Sequence, residues 1–174
     1  YPQDNIARVG LATTFNNIGT QFSHQKEWIT AREFYQDALE YDPQSWQARH
    51  NLLETLTRIG WEQNLQGYLD EAIATYHQAL EINPENPELC SNLGVIYFNS
   101  CNYDEAIKYL EKAITLNPDY IDAYINLGHI LKDLGRLKES FDEYIKVIKI
   151  NPNYSIVYSS LTFLLRDSDP SLFE

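Results

Sequence analysis

Asparagine recurs in one local setting: Asn17 precedes Ile18-Gly19, Asn51 precedes Leu52-Leu53, Asn92 precedes Leu93-Gly94 and Asn126 precedes Leu127-Gly128. On a helix, the residue ahead of an inward-pointing Leu-Gly pair is rotated by about 100° from it, onto the side that faces away from the helix partner. A carboxamide carries both donors and an acceptor. A column of them can therefore pair with a peptide backbone whatever side chains that peptide bears. His50, Arg58, Phe98, His129 and Lys132 fall on the same side, as do Thr13, Asn16, Thr20, Glu88, Ser91 and Asn99. The chemistry on offer is non-covalent recognition: asparagines for the backbone, with Phe98, His50 and Lys132 for selectivity.

Covalent chemistry finds no foothold. There is no Gly-rich phosphate loop, no Ser or Cys elbow, and no His/Cys/Asp cluster at metal-ligand spacing. His24, His50, His77 and His129 are scattered, and no two lie three or four residues apart. No catalytic residue, metal site or cofactor is expected. Asp70-Glu71 and Asp104-Glu105 suit the first turns of helices, where they complement the dipole.

The elements that position these side chains are paced by prolines. Pro43, Pro84, Pro118 and Pro152 are spaced 41, 34 and 34 residues apart, and a similar phrase precedes each one, as in Ala38-Leu39-Glu40-Tyr41-Asp42 and Ala79-Leu80-Glu81-Ile82-Asn83. A fixed period of this size signals stacked repeats. Each period holds two helices. Cys90, Leu93, Gly94 and Tyr97 mark one helical face. Asn102 with Glu105 three residues on predicts a capping box opening the next helix, which buries Ala106, Leu110 and Ala113 and ends at Asn117-Pro118. Gly19, Gly60, Gly94 and Gly128 in the first helices are matched by Ala31, Ala72, Ala106 and Ser140 in the second, so that the two backbones approach closely. Gly67 and Gly135 suit a left-handed turn between helices.

These columns (aromatic, Leu-Gly, Tyr/Phe, Ala, aromatic, Ala, Pro) resemble the tetratricopeptide repeat, in register over residues 12–154. The resemblance implies an all-α, right-handed α-solenoid of about four helix-turn-helix units plus a C-terminal helix, with first helices lining a concave face that grips a protein or peptide. The asparagine column is similar to that in the repeat arms of O-linked N-acetylglucosamine transferases. Residues 1–11 read as an N-terminal extension of the first helix. The units are 12–45, 46–86, 87–120 and 121–154, with a C-terminal helix and acidic tail over 155–174. The second unit holds seven extra residues, nearly two helical turns, which rotate a face by only about 20°. Trp46 to Gln63 is therefore predicted to be one long helix with two overlapping registers, one at Asn51-Leu52-Leu53 and the other at Arg58-Ile59-Gly60. Ser140 and Val147 replace alanine in the fourth unit and are expected to loosen its hairpin.

Ile156, Val157, Tyr158, Leu161, Phe163, Leu164 and Leu165 spread around more than half of the last helix. That predicts a covering element: a downstream module, a second copy, or the tail 167–174 folding back. Ser160 to Leu165 and the acidic stretch to Phe173 resemble the junction leading into SPINDLY-type glycosyltransferase domains. An alternative role is thus the substrate arm of a larger enzyme. The absence of Met, even at residue 1, fits a piece of a longer protein.

The net charge of −12 argues against nucleic acid or an anionic membrane as partner, because phosphate binding needs clustered Lys and Arg. Repeat domains that clamp a C-terminal carboxylate use several cations in one groove. Arg58 and Lys132 lie too far apart in the stack for that. Cys90 and Cys101, roughly 16 Å apart on a helix, cannot pair and point to a reducing, cytoplasmic setting. No signal peptide or membrane span is evident.

Overall fold

The computed structural model describes residues 2–167, with side chains from 5 to 166, and every regular element among them is an α-helix. The helices are α1 (Pro2–His24), α2 (Trp28–Tyr41), α3 (Trp46–Gln66), α4 (Leu69–Ile82), α5 (Pro87–Asn99), α6 (Tyr103–Leu116), α7 (Ile121–Asp133), α8 (Leu137–Ile150) and α9 (Ser155–Asp167). They form two compact units, residues 1–84 with α1 to α4 and residues 85–174 with α5 to α9.

The Asx-Pro phrase ends every second helix for a local reason. Asp42, Asn83, Asn117 and Asn151 donate their backbone N–H to the carbonyls of Ala38, Ala79, Ala113 and Val147 at 2.8–3.1 Å. The side chains of Asp42, Asn117 and Asn151 then accept from the N–H two residues on, each at 3.1 Å. The proline between them cannot donate an N–H, so the Asx turn and the proline together stop the helix.

Inside each hairpin the turn is a left-handed one. Gly67 (φ 82°) and Gly135 (φ 75°) adopt it, and so do Lys26 (φ 62°) and Cys101 (φ 60°), which sequence did not single out. The residue after each sends its N–H back across the turn: Glu27 to Phe22 O, Tyr68 to Gln63 O, Asn102 to Tyr97 O and Arg136 to Leu131 O, at 2.8–3.0 Å. This is a Schellman closure. It also overturns the predicted capping box. Asn102 is held at ψ 75°, and its side chain caps nothing. Glu105 instead grips Lys108 Nζ at 2.9 Å. Side-chain capping occurs where the backbone is extended, at Ser45 before α3 and at Asn86 before α5.

The core of each hairpin is a glycine against a bulky side chain. A Cβ on Gly60 would lie 2.6 Å from Tyr76 Cε2, and one on Gly94 would lie 2.8 Å from Leu110 Cγ and 3.0 Å from Ala106 O. Gly19 and Gly128 meet Tyr35 and Tyr144 in the same way. All four bulky partners are essentially buried, and each buried tyrosine removes roughly 150–250 Å² from water. Ser140, expected to loosen the fourth hairpin, does the opposite. Its hydroxyl, fully buried, donates to Gly128 O at 2.7 Å and ties α8 to α7.

α3 runs unbroken for 21 residues, against 13 in α5 and α7. Its two registers serve different neighbours. Asn51 reaches α1, while Gly60 closes the hairpin on α4. In unit 1, Arg8 of α1 also donates to the Glu40 and Tyr41 carbonyls, both at 3.2 Å, satisfying the open end of α2. In unit 2, α9 buries Val157, Leu161 and Leu164 and leaves Ile156, Tyr158, Phe163 and Leu165 exposed. The proposed fold-back of the tail involves residues 168–174, which lie outside the described residues.

Candidate functional site

The side chains singled out from sequence sit on the first helices of the hairpins. In unit 1, Asn17 is exposed on α1 and makes no hydrogen bond among the described residues. Asn51 is half-buried, and its Nδ2 donates to Asn16 Oδ1 at 2.9 Å, joining α3 to α1. His50 is exposed, with Nε2 3.7 Å from Glu54 Oε1, and Arg58 is exposed one turn further on. At 100° per residue His50, Glu54, Arg58, Trp61 and Leu65 fall within about 80° of one another. All five are exposed, so α3 carries one long stripe. Trp61 and Leu65 were missed from sequence, although they follow Arg58 at i+3 and i+7.

Unit 2 repeats the arrangement. Asn92, half-buried on α5, makes no hydrogen bond among the described residues. Asn126 Nδ2 donates to Ser91 Oγ at 3.3 Å, joining α7 to α5. Ser91 is only 2% exposed, and the Tyr120 hydroxyl also pairs with it. Burial raises the Tyr120 pKa, with Asp122 and Glu88 adding to the rise and Ser91 opposing it. Phe98 is half-buried, its ring 5.7 Å from Tyr103.

The asparagine column thus divides in two. Asn51 and Asn126 each span 35 residues back to the preceding first helix of their own unit. Asn17 and Asn92, on the leading helix of each unit, keep their amides available. Sequence periodicity places all four on one side; it cannot tell which of them has a polar neighbour across the groove.

His129 and Lys132 stand one turn apart on α7. His129 is half-buried, edge-on to Tyr144 with centroids 5.8 Å apart. Burial, and then the Lys132 charge, push its pKa below the ordinary 6.5, with Asp133 partly offsetting them. It is therefore largely neutral at pH 7. Lys132 Nζ lies 3.8 Å from Asp133 Oδ1 and 5.7 Å from the centre of the Phe163 ring on α9. Arg58 belongs to unit 1 and Lys132 to unit 2. Among the described residues no three His, Cys, Asp or Glu side chains gather as a metal-ligand set, and no helix is long and apolar enough to cross a membrane.

Two-helix hairpins closed on small residues, with polar side chains aligned along the first helices, define a helical-repeat protein. Three family models agree: two described as tetratricopeptide repeat match residues 87–120 and 121–154, and one described as TPR repeat matches 64–100. The chain belongs to the tetratricopeptide repeat family, and its fold is the all-α helical-repeat fold of that family. Among curated proteins it is similar to the mouse BBSome complex member BBS4, 34% identical over 82 residues, which cover 47% of this chain and 14% of the mouse protein. Among solved structures it is similar to the first TPR of Spaghetti (RPAP3) bound to the HSP90 peptide SRMEEVD. That likeness is 28% identical, with a TM-score of 0.61, over 66% of this chain and 90% of that one. It is also similar to MamA, 25% identical with a TM-score of 0.69, over 94% of this chain and 84% of the other.

Proposed function

We propose that the chain is a non-catalytic protein-interaction module whose first helices bind an extended peptide or protein segment. Asn17, Asn51, Asn92 and Asn126 contact its backbone, while His50, Arg58, Phe98, His129 and Lys132 select among side chains. The observation that carries this reading is the amide column, whose members Asn17 and Asn92 have no side-chain hydrogen bond among the described residues. Of the two, Asn92 is half-buried, and an amide shielded in this way with unused donors gains most from a ligand that supplies the missing partner. The peptide in the similar RPAP3 structure supports the same reading. A protein partner, and no nucleic acid, suits the charge of −12. Free Cys90 and Cys101 fit a cytoplasmic location. The alternative, an arm of a SPINDLY-type glycosyltransferase, rests on residues 160–173, of which 168–173 lie outside the described residues. Neither the matched families nor the relatives above lend it support.

The test is a titration of peptides selected by phage display against the chain, using wild type and the double variant Asn92→Ala, Asn126→Ala. Loss of two hydrogen bonds is expected to weaken binding by about tenfold or more. Unchanged affinity in the double variant would sink the backbone-holding role.

A further inference from the structure

α9 repeats the first-helix pattern of α7 at an interval of 34 residues. α7 packs against α8, and its Tyr124, Leu127 and Leu131 are 7%, 4% and 3% exposed. Their counterparts on α9, Tyr158, Leu161 and Leu165, are 45%, 7% and 48% exposed. Tyr158 donates its hydroxyl to Pro152 O at 2.8 Å, as Tyr124 donates to Pro118 O at 3.1 Å, so the two rings are held alike and differ in their cover. The other flank of α9 is occupied. There Lys132 Nζ and the Arg166 guanidinium carbon stand 5.7 and 5.8 Å from the centre of the Phe163 ring.

The side chain at the middle of the uncovered flank limits what can lie on it. One repeat beyond Gly128 stands Thr162. Gly19, Gly60, Gly94 and Gly128 are glycine because a Cβ would lie 2.5–2.8 Å from the bulky residue of the second helix. Thr162 is exposed, with its hydroxyl turned back on Tyr158 O at 2.7 Å. A second helix laid down as in the four hairpins would collide with it. The occupant therefore stands off at the ordinary helix–helix spacing of about 8–10 Å.

We infer that this flank of α9 pairs with the same flank of a second copy of the chain, the two helices antiparallel about a two-fold axis beside Thr162. The patch is self-complementary. Tyr158 and Leu165 lie at equal distances either side of Leu161-Thr162, so each leucine meets the tyrosine ring of the other copy at both ends, as an isologous contact requires. Charge favours the same occupant. No residue from Ser155 to Leu165 is charged, so two chains of net charge −12 can meet here without like charges facing each other along the helix. One helix on each side covers less than the about 800 Å² per partner of a standard interface. The dimer is accordingly weak and forms as concentration rises.

Sedimentation velocity of the full chain over about two decades of concentration tests the pairing. Wild type is expected to shift from monomer to dimer. Thr162→Glu and Thr162→Lys each set like charges across the axis and should weaken association by about tenfold or more. Both changes fall on an exposed position, and circular dichroism checks the fold. An equimolar mixture of the two variants sets opposite charges across the axis and should regain the dimer. Wild type that stays monomeric throughout, as it would with the tail 168–174 or a different protein on this flank, would overturn the inference. So would a dimer that both variants keep, or a mixture that stays monomeric.

Discussion

Replacing Asn126 by Ala and, separately, Asn92 by Ala separates what holds the fold from what holds a ligand. Both residues lie on first helices of unit 2, both are half-buried, and both changes gain the same helix propensity, about 0.6 kcal/mol. That gain cancels in the comparison. What remains is the bond from Asn126 Nδ2 to Ser91 Oγ, which Asn92 lacks. At 3.3 Å it is long, and Ser91 keeps its pairing with Tyr120. Its net worth therefore sits near the middle of the usual range, about 1 kcal/mol.

Asn126→Ala should therefore be less stable than Asn92→Ala by about 1 kcal/mol, or about 4–8 °C in midpoint for a unit of this size. Denaturant titration followed by circular dichroism reads the difference, and equal slopes confirm that the unfolded states are comparable. Peptide affinity should order the pair differently, since Asn92 offers the ligand an amide that no neighbour uses. Equal stability of the two variants would refute the cross-helix rung. Full affinity in Asn92→Ala would refute its binding role.

The turn residues provide a second test. Cys101 is held at φ 60°, which costs a residue with a Cβ about 1–2 kcal/mol, while glycine carries an unfolded-state penalty of about 0.5–1. Cys101→Gly should thus stabilise by about 0.5–1 kcal/mol, and Gly135→Ala, at φ 75° with open space around it, should destabilise by about 1. The reverse order of denaturation midpoints would count against the left-handed turns. The third test concerns pH. His129 has a folded pKa below its unfolded value of 6.5, so the unfolded chain binds more protons between the two. Its stabilising contribution is whole above 6.5 and declines as pH falls through that window. His129→Gln should flatten this part of the stability profile, and an NMR titration placing His129 above 6.5 would contradict the reasoning.

Much of the fold was legible because its causes are local. An Asx-Pro pair stops a helix through its own side chain, and a glycine opposite a tyrosine is demanded by a single close contact. The failures came where one backbone conformation overrode a side-chain signature. Asn102 and Glu105 spell a capping box, but the Schellman turn at Cys101 fixes the backbone of Asn102 before its side chain can act. Ser140 looks like a weak substitute for alanine until Gly128 O is seen within its reach. The candidate face was legible as a set of positions and not as a set of bonds. Partnership across 35 residues depends on whether the earlier helix offers Asn16, Ser91 or Ile125, and a periodic pattern carries no information on that.

The longer interval between Pro43 and Pro84 shows what an insertion can do without disturbing a repeat. Seven residues turn a helix through nearly whole revolutions, so both ends of α3 keep their facing. Asn51 can then bond to α1 while Gly60 still receives Tyr76. An insertion of five residues would turn the far end by about 140° at 100° per residue, presenting Gly60 to solvent and a larger side chain to Tyr76. The permitted length also extends the exposed stripe from His50 through Arg58 and Trp61 to Leu65. Unit 1 therefore offers a long, partly aromatic strip, whereas unit 2 has first helices of 13 residues and holds Lys132 and Arg166 over the Phe163 ring.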